Sequence, residues 1–343
     1  MAYPASLKMS CSQLVLDRLD PLVQPGVTGT SHLHQIVGGN AFNATMDPAG
    51  GPAERSTCTT CTFTDDFSNY WTAAMYFQAR NGSYKRVKQL GALFHEEARG
   101  GGMTIYYFPQ FIEPEKVKIR AFASGFRMQI GHPDLTTPAV PPLATEAGEP
   151  SPLHGITYTC LLRDDTRFTN LSFAFPAGPC PEGILTTLSF PPCWDGRSLD
   201  SADHRSHVAY PAAGADYHQG ATCPPSHPVN IPQVALEIRW DTRPFNDPDL
   251  WPVEEGRQPF VWSFGDRVGY GHHADYLFGW RGDALSRTFD RDCSSNDQLC
   301  NLPVQTISEA NECALQREVE EEVDGWMDTM PGGVVARDWV ASG

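Results

Sequence analysis

Val234, Leu236, Ile238 and Trp240 alternate without interruption with Ala235, Glu237 and Arg239. A side-chain period of two belongs to an extended strand with one face in a core, so this stretch needs strand neighbours on either side. Phe126, Met128 and Ile130 alternate in the same way with Arg127 and Gln129. The stretches 70–77, 103–108, 156–162, 184–190 and 260–264 are rich in the β-branched and aromatic residues that strands favour. Many of the 30 glycines and 29 prolines separate these runs, and both residues end strands and build turns. Asn81-Gly82, just before a short return strand at 84–87, is a hairpin signal. The expected fold is mainly β: an antiparallel, jelly-roll-like β-sandwich with long loops, one disulfide-stabilised domain over residues 1–305.

Two stretches break that pattern. From His132 to Leu153 the chain is Pro-rich and aperiodic, which reads as a long ordered loop or a lid. Thr306 and Glu309 have capping-box spacing, and Leu315, Val319 and Val323 recur every four residues, which predicts a helix from Thr306 to about Val323 within a C-terminal segment 306–343. Glu318, Glu320, Glu321 and Glu322 then form its solvated face. The tail from Pro331 reads as peripheral or frayed, and the whole segment as accessory to any chemistry.

Ten cysteines run from Cys11 to Cys313, with a single C-x-x-C at Cys58 and Cys61 and no second pair at zinc-ribbon spacing. That pattern predicts a disulfide framework and an oxidising compartment. Sequons at Asn43, Asn81 and Asn170 agree with a secreted, extracellular glycoprotein. The opening MAYPASLKMSC has no apolar signal core, so a secretory signal is expected to have been removed. A formal charge of −16 offers no basic patch for phosphates, which removes nucleic acid from the expected partners. No run of about 18 apolar residues is present to span a membrane. A monomer is expected.

Six of the eleven histidines fall in three compact clusters. His32 and His34 lie two apart, and on a strand their rings share a face, a recurrent metal-ligand geometry. His204 and His207 lie three apart beside Asp203, so one turn can aim both rings at a point while the carboxylate orients one of them. Gly269 and Gly271 allow a tight path that presents His273 and Asp275 to a cleft and turns His272 away. Each cluster by itself also fits a polar turn.

These stretches carry a family likeness. Cys11-Ser12-Gln13-Leu14, Arg18-Leu19-Asp20-Pro21, Ser31-His32-Leu33-His34-Gln35 with Gly38-Gly39, Thr57-Cys58-Thr59-Thr60-Cys61 and Asn69-Tyr70-Trp71 form its first half. Gly125-Phe126-Arg127-Met128, Phe190-Pro191, Cys193-Trp194-Asp195-Gly196, Asp203-His204 with Ser206-His207, and Gly265-Asp266 with Gly269-Tyr270, His273 and Asp275 form its second. From Cys11 to about Cys293 the chain resembles the fungal secreted domain-of-unknown-function family number nineteen ninety-six. The resemblance implies a secreted fungal protein in a cell-wall or biomass setting and supplies no catalytic residue. At His272 the family usually has an apolar residue, which ranks it below His273.

The leading expectation is a carbohydrate-active enzyme that cleaves a cell-wall or biomass polysaccharide. His32, His34, His204, His207, His273 and Asp275 gather one divalent transition metal, copper or zinc, with an open position for water or dioxygen. Asp203, His204, His207 and Tyr210 carry the catalysis, and Gln35, Tyr70, Arg127, Trp194 and Asp195 meet the polysaccharide. A second reading is a metal-independent lyase or hydrolase, with a His and Tyr210 exchanging protons while Arg127 and Gln35 neutralise a carboxylate. A third is a non-catalytic wall or carbohydrate-binding protein that stacks sugars on Trp71, Trp194, Trp262 and Trp280.

Overall fold

The computed structural model describes residues 6–46, 50–91, 97–108, 119–137, 155–163, 169–211, 223–252, 257–290 and 302–337. Two five-stranded antiparallel sheets dominate them. The first orders β1 (Leu7–Ser12), β7 (Gly102–Phe108), β14 (Gln233–Trp240), β10 (Ile184–Ser189) and β9 (Gly155–Cys160). The second orders β2 (Val15–Asp17), β3 (His34–Gly38), β4 (Asn69–Ala73), β16 (His273–Leu277) and β8 (Arg127–Gly131). Two three-stranded sheets complete the β structure: β5 (Met75–Gln78) between β15 (Phe260–Trp262) and β6 (Tyr84–Arg86), and β11 (Cys193–Trp194) between β12 (Val208–Ala209) and β13 (Val229–Asn230).

The alternation read in 234–240 sets the first sheet. Val234, Leu236, Ile238 and Trp240 all point into the core, and register places Leu236 between Ile105 and Leu188, and Ile238 beside Thr186. In the second sheet Val37, Tyr70, Tyr276 and Met128 form one row across four strands, and they join the same core from the other side. A mainly β, sandwich-like body follows from two sheets that each bury alternate residues against the other. Four disulfides hold it: Cys11–Cys61, Cys58–Cys313, Cys160–Cys180 and Cys193–Cys223. Cys293 and Cys300, and residues 138–153 of the expected lid, lie outside the described residues. Among the described residues no helix is long and apolar enough to cross a membrane.

The opposite face of the second sheet is covered as well. Val15, Ile36, Trp71 and Leu277 pack there under Leu19, Leu22, Phe42 and Met46 from the segment that follows β2 and β3. Both faces of this sheet are therefore dry, and polar side chains on the covered face must find partners or accept a cost of about 1–3 kcal/mol each.

The long C-terminal helix does not form. The capping box of Thr306 and Glu309 is present, but the helix it starts spans only Ile307–Ala310. Asp17 accepts the backbone N–H groups of Glu318 and Val319, and Glu322 accepts those of Val323, Asp324 and Gly325, all groups a continuing helix would use itself. Arg18 pairs with Glu321 at 2.6 Å. Nor is the tail frayed as far as Arg337. Val334 and Ala336 pack against the cluster of Leu16, Leu33 and Tyr76, Ala336 N–H donates to the Tyr84 hydroxyl and Arg337 N–H to the Gly265 carbonyl, while upstream Cys313 is tied to Cys58.

Candidate metal centre

The covered face of the second sheet carries the site. His34 opens β3 and pairs with Ala73 of β4, while His273 opens β16 opposite Gly131 of β8. Both rings rise on the same face, and the only side chain of β4 between them is the Ala73 methyl, so the imidazoles meet over it: their centroids are 5.8 Å apart. His32 sits in a bend before β3 rather than on the strand. Its ring still reaches the others, 4.3 Å from that of His34 and 5.0 Å from that of His273. Gly131 is required here, with φ +75° and the His272 carbonyl 2.1 Å from where a Cβ would lie.

Ligand atoms of His32, His34 and His273 lie within 4.8 Å of one another, and so do those of Asp20, His34 and Asp275. None of the five residues is more than 4% exposed. His273 Nδ1 donates to the Gly271 carbonyl at 3.0 Å, which assigns its proton there and leaves Nε2 to accept a hydrogen bond from His32 Nε2. That Nε2 lies 3.0 Å from His32 Nε2, and His32 Nδ1 is held by Ser31 Oγ at 2.9 Å. Asp275 Oδ1 accepts from Gln129 Nε2 at 2.9 Å, and Asp20 Oδ1 accepts from the Leu22 and Val23 N–H groups. Three atoms have nothing: both ring nitrogens of His34 and Asp275 Oδ2 are buried without a hydrogen-bond partner. The Leu19 carbonyl approaches His34 and the Trp71 indole approaches Asp20, but neither reaches hydrogen-bond geometry.

Burial sets the charge state. It pushes His34 down to about 3 and His273 to about 4, the latter helped by His34. It lowers His32 as well, with His34 and His273 adding to the effect. The three rings are neutral at physiological pH, the form that ligates metals. Burial raises both carboxyls, and Asp20 pushes Asp275 higher still. The pocket thus collects lone pairs and withholds positive charge.

The other expected site residues lie elsewhere. His204 and His207 do not join the three histidines. His204 Nδ1 bonds Asp200 Oδ1 at 2.8 Å, and its φ of +57° puts the residue in the left-handed region. His207 Nε2 donates to the Arg127 carbonyl and its Nδ1 meets Ser201 Oγ, both at 2.8 Å. Asp203 accepts from Ser201, Ser206 and Arg205. Burial opposes its ionisation, but these donors outweigh it and hold the carboxyl below the usual range. The loop seals the free edge of β8, because Arg127 N–H donates to the Leu199 carbonyl and Gln129 N–H to that of His204. His204 therefore reaches the site only through the backbone of Gln129.

Tyr210 donates to the Ser189 carbonyl and accepts from Gly155. Gln35 and Tyr70 point to the core side of the sheet, and the Tyr70 hydroxyl lies between Asp66 and Tyr107. Arg127 is buried beside the Met46 carbonyl. Asp195 caps a turn at Arg197 and Ser198, whose carbonyl takes the Trp194 indole. Trp71, Trp194, Trp262 and Trp280 are each 4% exposed or less, so none is a sugar platform; they fill the core because the sandwich needs large apolar side chains there. His272 does turn away, stacking on Trp262 at 3.7 Å. Asp20 was not among the expected ligands: it stands in the family motif Arg18-Leu19-Asp20-Pro21, but its residue chemistry reads only as the turn that ends a strand.

No curated protein and no solved structure matches the chain. Residues 20–280, which include every residue of this pocket, match the family described as Domain of unknown function (DUF1996), and the chain belongs to that family.

Proposed function

We propose that this chain is a secreted metalloprotein in which His32, His34 and His273 bind one divalent transition metal ion, copper or zinc. The observation that carries the reading is His34: a fully buried imidazole with neither nitrogen hydrogen-bonded is costly unless a ligand takes up a lone pair. The 3.0 Å between His32 Nε2 and His273 Nε2 suits two imidazoles on one ion, each about 2.0–2.1 Å from it. The Gly271 carbonyl and Ser31 hydroxyl orient the rings from behind, as outer partners do in metal sites. Four disulfides support the secreted setting.

The burial of all three ligands directs the chemistry. Among the described residues the three histidines are 4% exposed or less and Phe264 packs on His32 and His273, which puts an ion there out of reach of a polysaccharide, whereas water, dioxygen or peroxide needs only a narrow path. We therefore read the centre as structural or as acting on small molecules, rather than as cleaving a polymer in place. The test is metal-stripped protein titrated with copper and with zinc. An ion that survives gel filtration, with imidazole nitrogen couplings in the copper spectrum, is the expected result; a folded wild type that retains neither metal sinks the reading.

One observation favours a polysaccharide partner elsewhere on the surface. Trp326 is 47% exposed at a shallow depression lined also by Asp328, Thr329 and Gly332, and an exposed indole beside polar groups suits a sugar ring. Retardation of the protein in gels containing wall glucans, lost in Trp326→Ala, is the matching measurement; equal mobility in every gel removes this second reading.

A further inference from the structure

We infer that, given a metal ion on the three histidines, the same pocket holds a second divalent cation between Asp20, His34 and Asp275, with His34 shared by the two ions. The second triad has its ligand atoms within the same 4.8 Å as the first, and the two triads have only His34 in common. An ion seated among the three histidines leaves Asp20 and Asp275 unaccounted for. These are two carboxyls buried side by side on the same dry face, and like groups so placed repel when both ionise. Gln129 donates to Oδ1 of Asp275, and the Leu22 and Val23 N–H groups to Oδ1 of Asp20. Asp275 Oδ2 is left buried and bare.

His34 supplies the link. An imidazole has two nitrogens on opposite sides of the ring, and here both lack a partner, so one can serve each triad once the ring is fully deprotonated between two cations. The two ends differ in character. Three imidazoles favour copper or zinc, and two carboxylates with one imidazole favour a harder ion such as zinc or manganese. The rival arrangement is a single ion, with the far His34 nitrogen kept as N–H toward the nearby Leu19 carbonyl and one proton shared by the two aspartates.

Metal counting on full-length protein separates these. Metal-stripped protein is loaded with zinc, gel-filtered and analysed for zinc per chain. About two equivalents are expected for wild type and about one for Asp275→Asn and Asp20→Asn, which keep the side-chain shape and remove the charge. Copper loading adds a second readout: wild type filled with copper should lose most of its paramagnetic signal through coupling across His34, and Asp275→Asn should recover the full signal of one isolated ion. Wild type that saturates at one equivalent, with Asp275→Asn unchanged, overturns the second site and leaves the histidine site standing. Wild type that binds none removes both.

Discussion

Two regions of this molecule are rich in histidine and aspartate, and they differ in one respect. In the loop 199–207, His204 and His207 have partners for the ring nitrogens that face protein, and Asp203 accepts four hydrogen bonds. On the covered face of the second sheet, His34 has no partner at all and Asp275 has one bare oxygen. The loop is the denser cluster in sequence, and its polar groups are spent on holding the edge of β8. The pocket is assembled from three distant segments, and its polar groups are held in reserve. Composition marks both regions; unsatisfied buried lone pairs mark only one.

The largest effect that can break this contrast is on metal affinity. His34→Ala or His273→Ala should weaken copper or zinc binding by about 100-fold or more, whereas His204→Ala should change it by less than about threefold, because it touches the pocket only through a backbone carbonyl. Calorimetry on the three variants decides it. Comparable losses in all three would mean that the loop and the pocket are one site.

Next in size is a pH effect that belongs to the pocket. The unfolded chain protonates His273 near 6.5, while burial holds it at about 4 in the fold. Between these values the unfolded state binds the extra proton, so this ring's contribution is full above about 6.5 and is lost as pH falls toward 4. The buried aspartates act with the opposite sign, since their raised values cost stability as pH rises above 3.8. Comparing metal-free wild type with His273→Phe isolates the histidine. The wild type should lose on the order of 3 kcal/mol relative to the variant between pH 6.5 and 4, read from urea unfolding. A difference that stays constant over that range would show that the ring is solvated.

The loop has its own signature. His207→Ala removes the ring that donates to the Arg127 carbonyl and meets Ser201 Oγ and should cost about 1–3 kcal/mol of unfolding free energy with little change in metal affinity. Finer still, Ser31→Ala removes the group that orients His32 and should weaken metal binding by about tenfold without altering stability measurably. An unchanged affinity would place His32 outside the coordination set.

Much of the β body was readable because it rests on local rules. Val234 through Trp240 alternate because one face of β14 is core, and no tertiary context can reverse a period of two without exposing four large side chains. The helix reading from Thr306 to Val323 failed for the opposite reason. Leu315, Val319 and Val323 have helical spacing, but Asp17 and Glu322 capture the backbone N–H groups that the helix needs. Local propensity amounts to tenths of a kcal/mol per residue, and a few charged acceptors outweigh it.

The site divides along the same line. His32, His34, His273 and Asp275 stand out in the sequence because histidines two apart, and a glycine-framed His and Asp, are local patterns. Which patterns share a pocket depends on strand order, since β3, β4 and β16 become neighbours across some 240 residues of chain. Ala73 had no reason to be noticed, yet its small side chain is what lets two imidazoles meet. Asp20 entered the pocket because the segment after β2 folds over the sheet. The sequence by itself determined the chemistry available, a set of imidazoles and carboxylates on a disulfide-bonded β chain. Only the tertiary structure decided which of them would be buried without partners, because burial and hydrogen-bond satisfaction are properties of neighbours that the fold brings from far along the chain.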